Sequence, residues 1–536
     1  MKAGVITLIV GVLAALGGAV VPAHADVSCP VAVPPLVQQH PAADQAHTYV
    51  LGDLNGDGGA DVAIEVTHYP AYCGVALEPS STRVDIRSGK TGMLLWSVSA
   101  GTNADVEGVD LGGGRHGVLV HDTFDRVFDG TGHQWSRHPS LGYPAAVLSG
   151  TPGQADLIVS RLNTLTPRLR AVSAATGQQV WGQPDPGGVL SAVPDIDGDG
   201  RQDLLLRATT NDGHETDTVT RGASGSIWWV RQLTSVCPNV DYGTPDSGFQ
   251  ISYYLSGDAS VVGDLNGDGY REVAVNGGPC PPVSFGTAAP MLTEILDGRN
   301  GHERWTRRGT SFPAGDANGD GNPDVLVSAF AGDQFDISHE EVTHTLVDAF
   351  GVVLATRVDT VDTGGPTGYS FTSRLRTAGD ANGDGAPDLL EHLTIAAGTN
   401  PTVDRVISGR DLTLIGPDPN PAAATDTHPL LGSTDGVGDD FVTFGIFPTP
   451  DLLRVIDAVT GTPRWSYDLG NGSPFDYRGL GVLTADVNGD GRADLVLQDF
   501  RETETGGPFF ATANVTDVVD GATGQPLWKF VAVYQY

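Results

Sequence analysis

Six nine-residue segments that are almost one sequence recur along this chain, and nothing else in it restricts the fold as much. The first carries Asp53, Asn55, Asp57 and Asp61; the second Asp195, Asp197, Asp199 and Asp203; the third Asp264, Asn266, Asp268 and Glu272. The remaining three carry Asp316, Asn318, Asp320 and Asp324; Asp380, Asn382, Asp384 and Asp388; and Asp486, Asn488, Asp490 and Asp494. Oxygen-bearing side chains therefore stand at positions 1, 3, 5 and 9 of each segment, with glycine at 4 and 6. A hard cation takes roughly six to eight oxygens at about 2.3–2.6 Å, and a tight loop supplies them from alternate side chains plus the carbonyl of position 7. Glycine at position 6 allows a sharp turn that a Cβ would oppose. The expectation is Ca²⁺ at about six sites. Magnesium, with its stricter octahedral demand, suits so flexible and carboxylate-dense a loop less well.

These are not EF-hand loops, which end in a bidentate Glu at position 12 between two helices. Here position 12 is Ile64, Leu206, Val275, Val327 and Leu497, with Glu391 the one exception. The flanks read as strands: Tyr49–Leu51 before and Val62–Val66 after, or Val261 and Val262 before and Val273–Val275 after. Short apolar runs bounded by Asp/Gly turns predict β-structure.

A second element alternates with the first. Gly461 and Trp465, Gly524 and Trp528, Gly301 and Trp305, Gly92 and Trp96, Gly177 and Trp181, and Gly225 and Trp229 share one Gly-to-Trp spacing; Gly132 and Trp135 lie one residue closer. The glycine marks a hairpin turn and the Trp the strand that leaves it. Each unit then reads as strand, acidic loop, strand, connection, strand, hairpin, Trp-bearing strand, which is a four-stranded propeller blade. Degenerate loops without the ligand set are expected at Val109–Val120, Ala146–Ser160 and Leu431–Phe444, and hairpins without Trp at Asp348–Leu354 and Ser408–Leu414. Nine repeat units result, in line with a repeat of about 40–50 residues plus insertions. The expected fold is all-β: a β-propeller of seven to nine four-stranded blades, helix-poor, with calcium loops between the first two strands of most blades.

Residues 1–25 read as a secretory signal: Lys2, an apolar run from Val5 to Val21, and Ala23 and Ala25 at a small-x-small cleavage site. A segment 26–46 and a single propeller over 47–536 would follow, released and extracellular. Export makes four cysteines informative. Three pairings are possible. Cys29 and Cys73 flank the first acidic loop, Cys237 and Cys280 the third, and this common register favours Cys29–Cys73 and Cys237–Cys280. A net charge of −35 argues against nucleic acid or an anionic membrane as partner. No membrane insertion is expected, and a monomer is.

The Asp-x-Asn-Gly-Asp-Gly-x-x-Asp pattern of the six loops resembles the FG-GAP family, also called VCBS or integrin-α N-terminal-like repeats, over nearly all of the chain after the signal. The resemblance implies a propeller with calcium between the first two strands of a blade, and, in integrins, protein ligands on one face. The Phe-Gly/Gly-Ala-Pro part of the family pattern is poorly kept, since Val62–Val66 and Leu204–Arg207 lack it. The Trp hairpins resemble those of quinoprotein dehydrogenases and outer-membrane assembly propellers, where the Trp docks one blade on the next. Packing is the expectation here rather than a bound quinone, because a large aromatic at a repeating position is core.

The leading functional expectation is an extracellular recognition or adhesion module for a glycan or protein. Insertions at Thr209–Thr220, Val236–Gly257 and Thr360–Ser373, with Tyr242, Tyr253, Tyr254 and Tyr369, are its candidate contacts. The alternative, from a resemblance to the calcium-looped propellers of rhamnogalacturonan lyases, is a polysaccharide-active enzyme. No catalytic residue is assigned. The histidines, among them His121, His344 and His392, are expected in loops or on the surface, and none forms a Ser/His/Asp set or a metal-spaced pair legible in sequence.

Overall fold

The computed structural model describes residues 43–535 apart from 70–80, 102–103, 123, 140–143, 163–167, 210–214, 233–258, 278–291, 334–335, 363–370, 378–379, 396–401, 416–424, 433–439, 446–451, 458–459, 461, 470–480 and 505–509. Residues 1–25, expected to form a secretory signal, all four cysteines, and Tyr242, Tyr253, Tyr254 and Tyr369 lie outside the described residues.

Among the described residues there is no helix, and 36 strands form nine antiparallel groups of four, each in sequence order. In blade 1 these are β1 (Ala43–Val50), β2 (Val62–Tyr69), β3 (Ser81–Arg87) and β4 (Leu94–Ala100). The first strand begins a few residues before the expected boundary at residue 47. Blades 2 to 9 occupy residues 105–139, 144–184, 189–232, 259–308, 310–362, 371–415, 425–468 and 481–535. The six acidic loops lie between the first and second strands of their blades, and the degenerate regions Val109–Val120 and Ala146–Ser160 span the same connection; most of the loop within Leu431–Phe444 falls outside the described residues. Parts of two expected insertions are regular structure: Glu215–Thr220 is the third strand of blade 4, and the ends of Thr360–Ser373 belong to Val353–Asp362 of blade 6 and Phe371–Thr377 of blade 7.

The core lies between blades rather than within them. Leu51, Ala63, Val84 and Ile86 of blade 1 meet Ala104, Val106, Val118, Val120 and Phe128 of blade 2. Similar clusters fill every following junction. The last one joins Val487, Val496, Val518 and Ala532 of blade 9 to Ala46, Val62, Ile64 and Val66 of blade 1, closing the ring. The two end blades also touch edge to edge through Ala43 opposite Tyr534. A second strand has a neighbouring blade on each face, so it is apolar on both: Val62, Ala63 and Ile64 are all inaccessible to solvent. Doubly covered strands read as continuous apolar runs rather than alternating ones.

The Trp hairpins fasten the junctions. The indole N–H of Trp96, Trp181, Trp229 and Trp465 donates to the carbonyls of Gly130, Gly222, Gly298 and Gly521 of the next blade, at 3.1, 2.8, 2.9 and 2.7 Å. Trp528 of blade 9 donates to Gly89 of blade 1. Each ring covers a glycine with φ between 69° and 81°; a Cβ on Gly301 would stand 2.8 Å from Trp229. That residue must therefore be small and tolerate the left-handed region, two demands that glycine meets together.

Two departures follow from sequence. The hairpin one residue short in blade 2 misplaces its Trp: Trp135 is 41% exposed and donates to Asp129 of its own blade at 2.9 Å. In blade 6 the Trp position holds Ala355, and the facing glycine position in blade 7 holds Leu412, with φ +61° and 2% exposure. Leu412 belongs to one buried cluster with Leu346 and Leu389, and Ala355 packs against that cluster.

Candidate metal centres: the acidic loops of one rim

All six acidic loops connect first to second strands, so they share one rim with the Trp hairpins. Their conformation is a repeated unit. Glycines at position 4 have φ between 72° and 79°, and those at position 6 between 86° and 92°. In the first loop the Asp53 carboxylate accepts the amides of Gly56, Asp57 and Gly58 at 2.7, 3.2 and 2.9 Å. Asn55 accepts the Asp57 amide at 2.8 Å, and Asp57 accepts that of Gly59 at 3.0 Å. Asp61 turns back under the loop and accepts the amides of Leu54 and Asn55 at 2.9 and 3.2 Å. The loops of Asp195, Asp264, Asp316, Asp380 and Asp486 repeat these contacts.

Position 9 differs from the rest. Asp61, Asp203, Glu272, Asp324, Asp388 and Asp494 are buried, whereas position 5 residues Asp57, Asp199, Asp268, Asp320 and Asp490 are exposed. Burial pushes the Asp61 and Asp324 carboxyls up to about 6 and those of Asp203 and Glu272 up to about 7, with acidic neighbours in the same loop adding to the rise. Asp388 and Asp494 move in the same direction for the same reason. By contrast, amide hydrogen bonds from Asn322 and Asn318 hold exposed Asp320 below the usual range.

A doubly charged ion fits this donor set. Among the described residues, five of the six buried position 9 carboxyls have no cationic side chain paired with them, and their environment favours the charged form only if a cation is supplied. In the second loop, carboxylate oxygens of Asp195, Asp197 and Asp203 all lie within 4.8 Å of one another. Two loops carry an arginine as partial countercharge. Arg221 pairs with Asp197, the extra acid at position 3, at 3.0 Å, and Arg304 with Glu272 at 3.1 Å. Hydrogen bonds link positions 1, 3, 5 and 9 within the first loop, and three of the four lie close together in the second.

Two buried polar groups were missed by sequence reasoning, and both correct the expectation that the histidines are superficial. His121 is buried and contacts Asp125 at 2.5 Å, while Ser160 of the next blade donates to the same carboxylate at 2.8 Å. His344 of blade 6 is inaccessible; its Nε2 lies 2.9 Å from Glu391 of blade 7, and its Nδ1 lies 2.7 Å from Ser328. Arg405 bridges Glu391 at 2.6 Å and Asp359 at 2.8 Å, and Arg357 grips Asp359 with two nitrogens at 2.8 Å. Burial opposes ionisation of Glu391, but the His344 hydrogen bond and the Arg405 charge outweigh it and hold the carboxyl at about 2. His344, Asp359 and Glu391 have ligand atoms close enough for a metal. The two guanidiniums already neutralise both carboxylates, which makes the group a charge-balanced brace between blades. Its sequence signal was Glu391, the odd residue at position 12.

The same rim carries a stack of half-exposed side chains where blades 4 and 5 meet. The Arg221 guanidinium lies 3.3 Å from the Trp228 ring centroid, Trp228 and Tyr270 are 5.6 Å apart, and Arg299 lies 5.7 Å from Tyr270. The equivalents of Trp228 in blades 1, 3 and 9 are Leu95, Val180 and Leu527.

No family model and no curated protein matches the chain. Solved structures resemble it at the level of fold. The Vibrio cholerae biofilm matrix protein Bap1 is 13% identical over 94% of this chain and 89% of its own, with a TM-score of 0.34. The exotype rhamnogalacturonan lyase YesX is 16% identical over 87% and 73%, with a TM-score of 0.41. The Dos1 propeller is 11% identical over 74% and 92%, with a TM-score of 0.36. The chain is a multi-blade β-propeller, and its own closed ring of sheets carries that assignment.

Proposed function

We propose that this propeller is a secreted calcium-binding protein of the FG-GAP/VCBS kind that serves as an extracellular recognition module for a glycan or protein. One observation carries the calcium reading: six loops hold oxygens at the same four positions in one conformation, with a buried carboxyl at the base of each. Hard oxygen donors at this density suit Ca²⁺. Each ion would replace repulsion among carboxylates with coordination and stiffen a rim hairpin. A rigid disc with fixed rim loops is a platform on which contacts from several blades converge, and binding residues concentrate in such loops. The half-exposed Trp228 and Tyr270, with Arg221 and Arg299 against them, favour a ligand that offers both a flat apolar face and an acidic group.

The test is binding of the purified protein to a panel of acidic and neutral polysaccharides and extracellular matrix proteins, in calcium and in chelator. Calcium-dependent retention on one class supports the module. Release of unsaturated uronates, followed by ultraviolet absorbance, would replace it with a polysaccharide-cleaving enzyme.

A further inference from the structure

Acidic loops on neighbouring blades touch one another, and they do so in two distinct ways. At the seam where blade 9 meets blade 1, the amide of Ala60, position 8 of its loop, donates to the carbonyl of Asp486, position 1 of its neighbour, at 2.8 Å. The two backbones run so close that a Cβ on Gly59 would stand 2.1 Å from the Val487 oxygen, and one on Gly489 would stand 2.9 Å from the Gly58 oxygen. Blades 4 and 5 are joined by a similar bond shifted by one residue, its acceptor Ile196 standing at position 2, between the position 1 and position 3 residues Asp195 and Asp197. The amide of Arg271, again position 8, donates to Ile196 at 2.9 Å, and a Cβ on Gly198 would lie 3.1 Å from the Gly269 oxygen.

Blades 5 to 6 and 6 to 7 are built differently. Position 8 there is Pro323 or Pro387, which has no N–H to donate. Each proline ring instead packs against the residue that precedes the neighbouring loop, Gly263 or Gly315. A Cβ at either glycine would meet the ring at 2.7 or 2.4 Å. Bonded loop pairs and unbonded loop pairs thus coexist in one ring.

We propose that calcium binding is positively cooperative within the two bonded pairs, residues 53–61 with 486–494 and 195–203 with 264–272, and independent across the proline junctions. The inference rests on the calcium reading above. Ala60 lies between Gly59, whose carbonyl is the position 7 ligand, and Asp61 at position 9; its acceptor belongs to Asp486, the position 1 ligand of the other loop. An ion that fixes the Asp486 peptide therefore fixes the partner of the Ala60 amide. Part of the ordering cost of the second site is then met before its ion arrives, which is positive coupling through lost conformational freedom. An electrostatic effect opposes it, since filling one loop removes negative charge that attracts an ion to the other. That effect is screened over about 8 Å at physiological ionic strength, whereas the backbone bond is direct. The bonded seam also joins the first blade to the last, so coupling there ties ring closure to calcium.

The experiment is a calcium titration of the metal-stripped full chain at physiological ionic strength. Hydrogen–deuterium exchange of peptides spanning each loop supplies a separate midpoint for each site. Asp57→Ala should raise the midpoint of residues 486–494 at least about fivefold, and Asp490→Ala should do the same to residues 53–61, because coupling is reciprocal. Asp268→Ala should leave residues 316–324 unmoved. The pair Ala60→Pro with Ala485→Gly installs the proline and glycine of the other junctions. It should leave both seam loops able to fill while making each midpoint insensitive to the other site. Loops that all fill in the parent chain, with 486–494 unaffected by Asp57→Ala, would overturn the coupling and leave the calcium reading intact. Loops that show no response to calcium would overturn both.

Discussion

Exchanging the packing at the junction of blades 6 and 7 for that of the other blades tests how the ring is held together. At six junctions an indole covers a glycine; here Leu412 occupies the glycine position and Ala355 the Trp position. Leu412→Gly alone removes a buried leucine side chain, which costs about 2–5 kcal/mol, and frees the unfolded chain, which costs about 1 kcal/mol more. It also relieves a left-handed residue of about 1–2 kcal/mol of strain. The net loss should be about 2–4 kcal/mol. Ala355→Trp alone drives an indole into the Leu412 side chain, and overpacking costs about 1–3 kcal/mol. Together the two should restore the arrangement seen at Trp229 over Gly301, leaving the double variant within about 1 kcal/mol of the parent. The interaction term of the cycle would then be about 2 kcal/mol or more in favour of the pair, well above the few tenths expected of independent sites. Calorimetric melting in saturating calcium measures it. Additive losses would refute the idea that Leu412 stands in for a tryptophan.

Trp229→Ala should cost about 3–5 kcal/mol, whereas Trp135→Ala, whose ring is half-exposed and bonded within its own blade, should cost less than about 1 kcal/mol; urea denaturation compares them. Glu391→Gln should reduce stability at neutral pH and flatten its acid dependence. The parent carboxyl is held at about 2 against an ordinary 4.5, so its contribution is complete above 4.5 and is lost as the pH falls from there towards 2. At roughly 1.4 kcal/mol per pH unit that contribution is about 3 kcal/mol; melting curves of both proteins across that window check it. Chelation should lower the melting temperature sharply: at an ion concentration tenfold above Kd each site adds about 1.4 kcal/mol, so six sites approach the 5–15 kcal/mol or so of a typical native state.

The blade plan was legible because it is written locally. Turn glycines, alternate oxygens and doubly apolar second strands each report on a few consecutive residues, and nine copies fixed the phase even where Val109–Val120 and Ala146–Ser160 had lost their ligands. The short Gly132–Trp135 hairpin was likewise visible, although its consequence, a Trp bonded within its own blade, was not. The contacts that escaped depend on partners far apart in the chain. His344 and Glu391 come from different blades, as do Ala60 and Asp486, and no spacing rule links residues that meet only once the ring has closed. Leu412 escaped for a similar reason, since its meaning lies in Ala355 of the preceding blade. Position 12 was the exception: a Glu where five relatives are aliphatic marks a buried charge and so implies a partner.

Elemental analysis of the purified protein, equilibrated with ample Ca²⁺ and freed of loosely held ions, addresses the central claim most directly. About six calcium ions per chain are expected, one for each loop with oxygens at all four positions. A protein that folds into the same ring yet retains no calcium would contradict it.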